Sequence, residues 1–286
     1  MGTADCIRYI GHGACSVRQT AEPTPETTEE QTSDMTLEEV FDKSMEVFNA
    51  TESVSAKIDM TQKMKQPSQN LSMETISVVD MDITMNPLAI YQKGTTTMKM
   101  DGSEEEQVMK MEMYTTEQGF FMNDEGTGRW MKLPEEMYDQ MAQMTEQQSN
   151  PSQQLKQLEP FRDDFTFEQT GSEYILKLSA SGDQFNALIE EQISQFMPEL
   201  VGEENQAAVD EMMKAVNLEK VNYTIHIDKE SFEPTAVDMI MDMTMEIEDE
   251  AVQMNQVMNT DYSNYNGVEV IKVPEDIVSN AQEMQL

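Results

Sequence analysis

A chain of 286 residues with 55 acidic and 18 basic side chains carries a formal net charge of −37, and a surface of that sign repels the phosphates of nucleic acids and of anionic membranes. Nucleic acid is therefore excluded as a partner. No apolar run approaches the roughly 20 residues of a membrane-spanning helix, and the two cysteines, Cys6 and Cys15, both precede Ser16, so neither disulfides nor thiolate metal sites organise the rest of the chain.

Residues 1–20 hold no apolar segment of the signal-peptide kind, so the expectation is a signal sequence that is not intact in this chain. From Ser16 to Asp34 the chain is rich in Thr, Glu, Pro and Gln, a composition that cannot bury enough apolar area to order itself. Residues 1–34 are thus expected to form a disordered acidic tether, followed by one domain over 35–286. Gly13-Ala14-Cys15 sets small residues before a cysteine, as at the modified cysteine of a bacterial lipoprotein, although His12 stands where Leu is usual. Cys15 is the candidate lipid-attachment residue.

Met35–Asn49 carries Leu37, Val40, Phe41, Ser44, Met45 and Phe48 at helical spacing, with Ser33 or Asp34 as the expected N-cap. The period then changes to two. Val54, Ala56, Ile58 and Met60 alternate with polar neighbours, Gln66–Asn70 turns the chain, and Leu71, Met73, Val79, Met81, Ile83 and Met85 resume the alternation, which predicts two long paired strands. Asp101-Gly102 between Thr95–Met100 and Gln107–Thr115 predicts a hairpin with positive φ at both turn positions. Phe120–Asn123 and Arg129–Lys132 read as short strands set off by Gly119, Gly126 and Gly128. Pro134–Gln148 returns to helical spacing through Met137, Met141 and Met144. Phe165–Gln169 and Glu173–Ala180 flank Thr170-Gly171-Ser172 as another hairpin. Two amphipathic helices follow, one capped by Asp183 with Phe185, Leu188, Ile189, Ile193 and Phe196, the other over Glu203–Val216 with Val209, Met212 and Met213. The final meander is predicted as Lys220–Asp228, Glu233–Ile247, Val252–Asn264 and Val268–Lys272, the last two joined at Asn266-Gly267, before Pro274 opens a terminal helix.

Val237–Ile247 is the most informative of these segments. Every odd position is apolar, while Asp238, Asp242, Thr244 and Glu246 occupy even ones, so the strand has one greasy and one wet side. Burying such a face requires helices or a second sheet as cover, and the order of elements predicts an α+β fold with one antiparallel sheet and its helices collected on one side. Four of the six apolar positions are Met, a flexible and polarizable side chain that tolerates an irregular or changing neighbour. This face therefore reads as the wall of a hydrophobic groove. Its candidate lining is Val79, Met81, Ile83, Met111, Met113, Met239, Met241, Met243 and Met245 from strands, with Phe196 and Met212 from helices.

The chain contains 28 Met, and thioethers are ligands for Cu(I). Met at spacing two along one strand, however, sets sulfurs about 7 Å apart, too far to share an ion without help from a neighbouring strand, so a core or groove role is favoured. His226 alternates with Ile225 and Ile227 onto the polar side, and His12 lies in the tail, which leaves no histidine pair. Carboxylates are so abundant that any pair reads as solvated surface. No Ser/His/Asp order, phosphate loop or metal spacing is visible. The expectation is a protein that is not an enzyme and uses no cofactor or metal.

Three stretches, Gly128-Arg129-Trp130-Met131-Lys132-Leu133-Pro134, Tyr223-Thr224-Ile225-His226-Ile227-Asp228-Lys229, and Tyr262-Ser263-Asn264-Tyr265-Asn266 with Val273-Pro274-Glu275, resemble an uncharacterised group of Gram-positive envelope lipoproteins. That group is similar in outline to the LolA and LppX lipoprotein and lipid carriers. The resemblance spans 35–286 and implies a curved half-barrel of about 9–11 strands, with helices packed on its concave side. It implies too that this side holds a lipid, an acyl chain or another apolar ligand, and it supplies no catalytic residues. The protein would then be extracytoplasmic, anchored to the membrane only through its N-terminal lipid, as carrier or sensor. The alternative is an envelope interaction domain with a filled core and a protein partner.

Overall fold

The structure, a computed structural model, describes residues 21–24, 32–103, 105–124, 126–134, 138, 158–181, 215–247 and 250–284. The elements in chain order are β1 (Glu22–Pro23), α1 (Leu37–Ala50), β2 (Ser53–Gln66), β3 (Leu71–Met85), β4 (Leu88–Met100), β5 (Glu106–Thr116), β6 (Gly119–Asp124), β7 (Arg129–Lys132), β8 (Thr166–Gln169), β9 (Glu173–Ser181), β10 (Val216–Asp228), β11 (Pro234–Ile247), β12 (Glu250–Ser263), α2 (Glu275–Asn280) and β13 (Gln282–Glu283). The strands join one open, curved sheet in the order β1-β8-β9-β10-β11-β12-β2-β3-β4-β5-β6-β7-β13. The strands from β8 to β7 are antiparallel throughout. The two-residue edge pieces pair in parallel, β1 on β8 and β13 on β7. Two meanders, β2–β7 and β8–β12, meet where β12 pairs with β2.

Helix α1 starts at Leu37 rather than Met35 because the capping box is Thr36-Leu37-Glu38-Glu39. Thr36 Oγ1 accepts the Glu39 amide at 3.2 Å and Glu39 Oε2 accepts the Thr36 amide at 2.9 Å. Neither Ser33 nor Asp34 has an acid three residues on. The helix buries Leu37, Val40, Phe41, Ser44 and Phe48 against Leu176, Leu178, Ile225 and Ile227, which form the main core. Each fully buried large apolar side chain contributes about 1.5–3 kcal/mol. Phe48 also meets Tyr262 edge-on and Tyr265 at a tilt, both with centroids at 6.1 Å.

Directly opposed residues on neighbouring strands point to the same face, so the register extends this face across the sheet. It runs from Ile225 through Val237, Thr260, Ile58, Val79 and Gly94 to Met111. The opposite, outer face carries the ion pairs Lys63–Glu74 at 3.2 Å and Lys177–Glu168 at 2.7 Å. The C-terminal segment crosses that outer face, where Val273 and Ile277 bury Phe121 beside Tyr114 and Trp130. Helix α2 thus lies on the side opposite α1.

Four further expectations change. Val268–Lys272 is not a strand: Val268 N–H donates to Ser53 Oγ at 3.1 Å and the neighbouring Asn266 Oδ1 accepts the Glu52 amide at 2.7 Å, which ties the segment to the α1–β2 turn and away from any ladder. Of the Asp101-Gly102 pair only Gly102 takes positive φ, +83°. Val216 opens β10 instead of closing a helix, because its side chain shares the apolar parity of Leu218 and opposes Met245. Strand β4 begins at Leu88, well before Thr95. The helices expected over 134–148 and 183–216 fall, apart from Pro134, Tyr138, Ala215 and Val216, outside the described residues, as do Cys15, Phe196 and Met212.

The methionine-lined face as candidate ligand site

Nine of the expected lining residues, Val79, Met81, Ile83, Met111, Met113, Met239, Met241, Met243 and Met245, lie on the α1-side face. Their environments differ. Ile83 is 2% exposed, packed with Val54 and Ile90, and Val79 is 8% exposed. Both belong to the packed floor. Met81 packs beside the Val54 cluster, while Met241 and Met243 lean on the α1 core. Met111, Met113, Met239 and Met245 are half-buried, so the greasy side of Val237–Ile247, expected to be buried, is only partly covered among the residues for which side chains are described.

Register adds methionines that parity along single strands did not single out. Met243, Met254, Met64, Met73 and Met100 oppose one another in one row across β11, β12, β2, β3 and β4. A second row joins Met239, Met258 and Met60, and a third joins Met113, Met122 and Met131. The turn expected at Gln66–Asn70 would set Met64 opposite Ser72; Gln66 instead pairs with Leu71, which brings Met64 opposite Met73, and the β12–β2 pairing had no local signal at all. Toward β4 and β5 the face opens, with Met100 at 53% and Met109 at 47% exposure.

On the β3–β4 part of this face Ser77, Gly94 and Thr96 put smaller side chains beside the rows. Gly94 stands between Val79 and Met111, and an added Cβ would come within 2.6 Å of the Val78 carbonyl oxygen and 2.9 Å of Val79 Cγ2. Ser77 and Thr96 share a hydroxyl hydrogen bond at 2.9 Å. Gln62 Nε2 donates to Met254 Sδ at 3.0 Å. Ser77, Thr96 and Gln62 are thereby paired with one another or with sulfur among adaptable thioethers.

The outer face has a different character. A cavity of about 390 Å3 lies between β3–β5 and the C-terminal segment, lined by Asp82, Tyr91, Tyr114, Asn264, Glu269 and Lys272 among others. Tyr91 donates to Glu112 at 2.8 Å, and burial together with that carboxylate holds the Tyr91 phenol well above its usual range. Ser55 Oγ donates to Asp82 at 2.6 Å. These walls are polar and internally bonded, unsuited to an apolar guest. His226, also on this face, sits 3.5 Å from Glu173 and 3.8 Å from Asp238. Among the described residues no group of three or more His, Cys, Asp or Glu gathers as a metal site, and no helix is long and apolar enough to cross a membrane.

Fold and face together define an open antiparallel-sheet protein with a methionine-rich apolar side. Residues 36–282 match a family of unknown function (DUF6612), and the chain belongs to that family. No curated protein matches the sequence. Among solved structures it is similar to LprF from Mycobacterium bovis, at 12% identity over 83% of this chain and 96% of that one, with a TM-score of 0.37. A DUF1329 family protein from Desulfovibrio piger (9% identity, 82% and 95% coverage, TM-score 0.20) and a beta-barrel-like DUF1849 protein from Brucella abortus (9%, 75% and 99%, 0.20) are similar at a lower level.

Proposed function

We infer that this protein binds an apolar ligand, a lipid or an acyl chain, on its methionine-lined face, as a carrier or sensor tethered outside the cytoplasm through a lipidated Cys15. The observation that carries the reading is the shared register, which sets Met81, Met111, Met113, Met239, Met241, Met243 and Met245 with three cross-strand methionine rows on one face. A half-covered wall of this kind gains about 25 cal/mol for each Å2 of apolar surface that a ligand removes from water. Flexible thioethers let one wall follow guests of differing shape. The charge of −37 keeps the body of the protein off anionic lipid surfaces, so membrane attachment is assigned to the N-terminal anchor alone. No catalytic role is assigned, because the described histidine lies on the opposite face between two carboxylates.

Native mass spectrometry of the purified protein, with extraction of its bound lipids, tests the reading. A co-purifying apolar molecule in stoichiometric amount supports it; repeated absence, with no uptake of an apolar dye, rejects it. One observation favours a second reading, contact with another envelope protein through the outer face. Ile240, Val257, Thr61, Ile76, Thr97 and Val108 form a single cross-strand row there, with Ile240, Ile76 and Val108 exposed. Loss of a crosslinked partner on replacing Ile76 and Val108 by Lys, with apolar uptake intact, would separate it from the first.

A further inference from the structure

We propose that the row Met243, Met254, Met64, Met73 and Met100 is a thioether site for a soft monovalent metal ion, Cu(I) or its chemical analogue Ag(I). Along one strand methionines at alternate positions are about 7 Å apart, too far to share an ion. The register removes that obstacle, because these five side chains come from five adjacent strands and oppose one another directly. Opposed Cβ atoms in an antiparallel sheet are about 4.5–5.5 Å apart. Two sulfurs bound to one soft ion at about 2.3 Å each, the length of a metal–sulfur bond in protein zinc sites, lie up to about 4.6 Å apart. The spacing of the row and the reach of the ligands therefore match. Met100 is 53% exposed and gives an ion access from one end; Met64, Met73 and Met254 are half-buried and form the middle. Gln62 Nε2 donates to Met254 Sδ at 3.0 Å, which orients that thioether and leaves its second lone pair for a metal. A neutral all-thioether ligand set selects Cu(I) over zinc, calcium or magnesium, which need imidazole, thiolate or carboxylate. The site stands independently of apolar-ligand binding, since it needs the sulfurs and not the grease.

That difference supplies the test. In the full chain with Cys6→Ser and Cys15→Ser, so that no thiol competes, Cu(I) is offered under anaerobic conditions against bathocuproine disulfonate. The parent is expected to withdraw Cu(I) from the competitor, and the triple variant Met64→Leu, Met73→Leu, Met254→Leu to bind it about tenfold more weakly or worse. Leucine conserves volume and apolarity, so a cooperative denaturation transition in the triple variant shows that it is folded and that its loss of Cu(I) is a loss of thioethers. An Ag(I) titration of the parent with methyl-labelled methionine provides a readout that needs no variant: shifts centred on Met64, Met73 and Met254 support the site. A parent that leaves all Cu(I) with the competitor, a triple variant that holds it as tightly as the parent, or Ag(I) shifts confined to other methionines overturns the proposal.

Discussion

The ammonium of Lys229 donates to Oε1 of Gln169 across 2.8 Å, and the same oxygen accepts the Ser33 amide, also at 2.8 Å. Gln169 is 2% exposed, and its Nε2 donates to the carbonyls of Ala21 and Ser33 at 3.0 and 3.2 Å. One side chain thus fastens the segment before α1 to the edge of the sheet, while burial lowers the pKa of Lys229 from its ordinary value. Replacing Gln169 by Leu strands several polar groups at once, and the expected loss is about 2–3 kcal/mol of stability in urea denaturation. Lys229→Met is expected to cost less, and the double variant less than the sum of the two, since the partners are coupled.

Helix α1 covers the β8–β12 part of the site face, so its two local devices can be separated by size of effect. Thr36→Ala removes the capping box and is expected to cost about 1 kcal/mol. Phe48→Ala empties a position that is 5% exposed between Tyr262 and Tyr265, at about 3–5 kcal/mol. Thermal melts of both variants check the order; a larger loss from Thr36→Ala would contradict the packing described.

Alkaline pH acts on the same corner. Burial pushes the Tyr262 phenol up to about 12 from 10.0, and burial, then the neighbouring Tyr262 and Glu233, push Tyr265 higher still. Both phenols are neutral in the fold at a pH where they ionise in the unfolded chain, so the native state holds the protons more tightly. Their stabilising contribution is whole below pH 10 and is lost as pH rises toward 12, by about 1.4 kcal/mol per pH unit for each proton linked to unfolding. Phenolate absorbance titration against chemical denaturation at each pH is the measurement, and Tyr262→Phe is expected to flatten part of the slope.

Gly94→Ala tests the small-residue strip. The added methyl would meet the Val78 carbonyl at 2.6 Å, so β3 and β4 must part locally, with an expected cost of about 1–3 kcal/mol. Denaturation midpoints check this, with an unchanged midpoint as the contrary result.

Much of the fold was legible because alternation is a local property. Met239, Met241, Met243 and Met245 share a side by parity alone, and the turn expected at Gln66–Asn70 makes β2 and β3 neighbours, although Met64 opposes Met73 only because Gln66 joins the ladder opposite Leu71. The longer rows were not legible, because Met254 meets Met64 through a pairing of distant strands that no turn specifies. Val268–Lys272 misled for the reverse reason: its composition suits a strand, but the hydrogen bonds around Asn266 and Val268 to Glu52 and Ser53 hold it off the sheet. By type Ser33, Asp34 and Thr36 are equally good cap residues, and only the acid at Glu39 distinguishes Thr36. Val79 and Ile83 share the parity of the open methionines, yet they belong to the floor because Gly94 and the Val54–Ile90 pair leave room for them to sink.

The most direct measurement is titration of an environment-sensitive apolar dye into the parent, Met241→Asp, Met241→Leu and Asp242→Asn. Met241 lies on the site face beside the α1 core, whereas Asp242, one residue on, faces outward and accepts the Asn255 side-chain amide at 2.7 Å. Saturable uptake is expected in the parent, in Met241→Leu, which should cost less than about 1.5 kcal/mol of stability, and in Asp242→Asn. Met241→Asp sets an unpaired carboxylate on the apolar wall, which costs several kcal/mol unless it protonates, and uptake should fall with it. No saturable uptake in the parent, or an Asp242→Asn variant as impaired as Met241→Asp, would contradict a ligand site on the methionine-lined face.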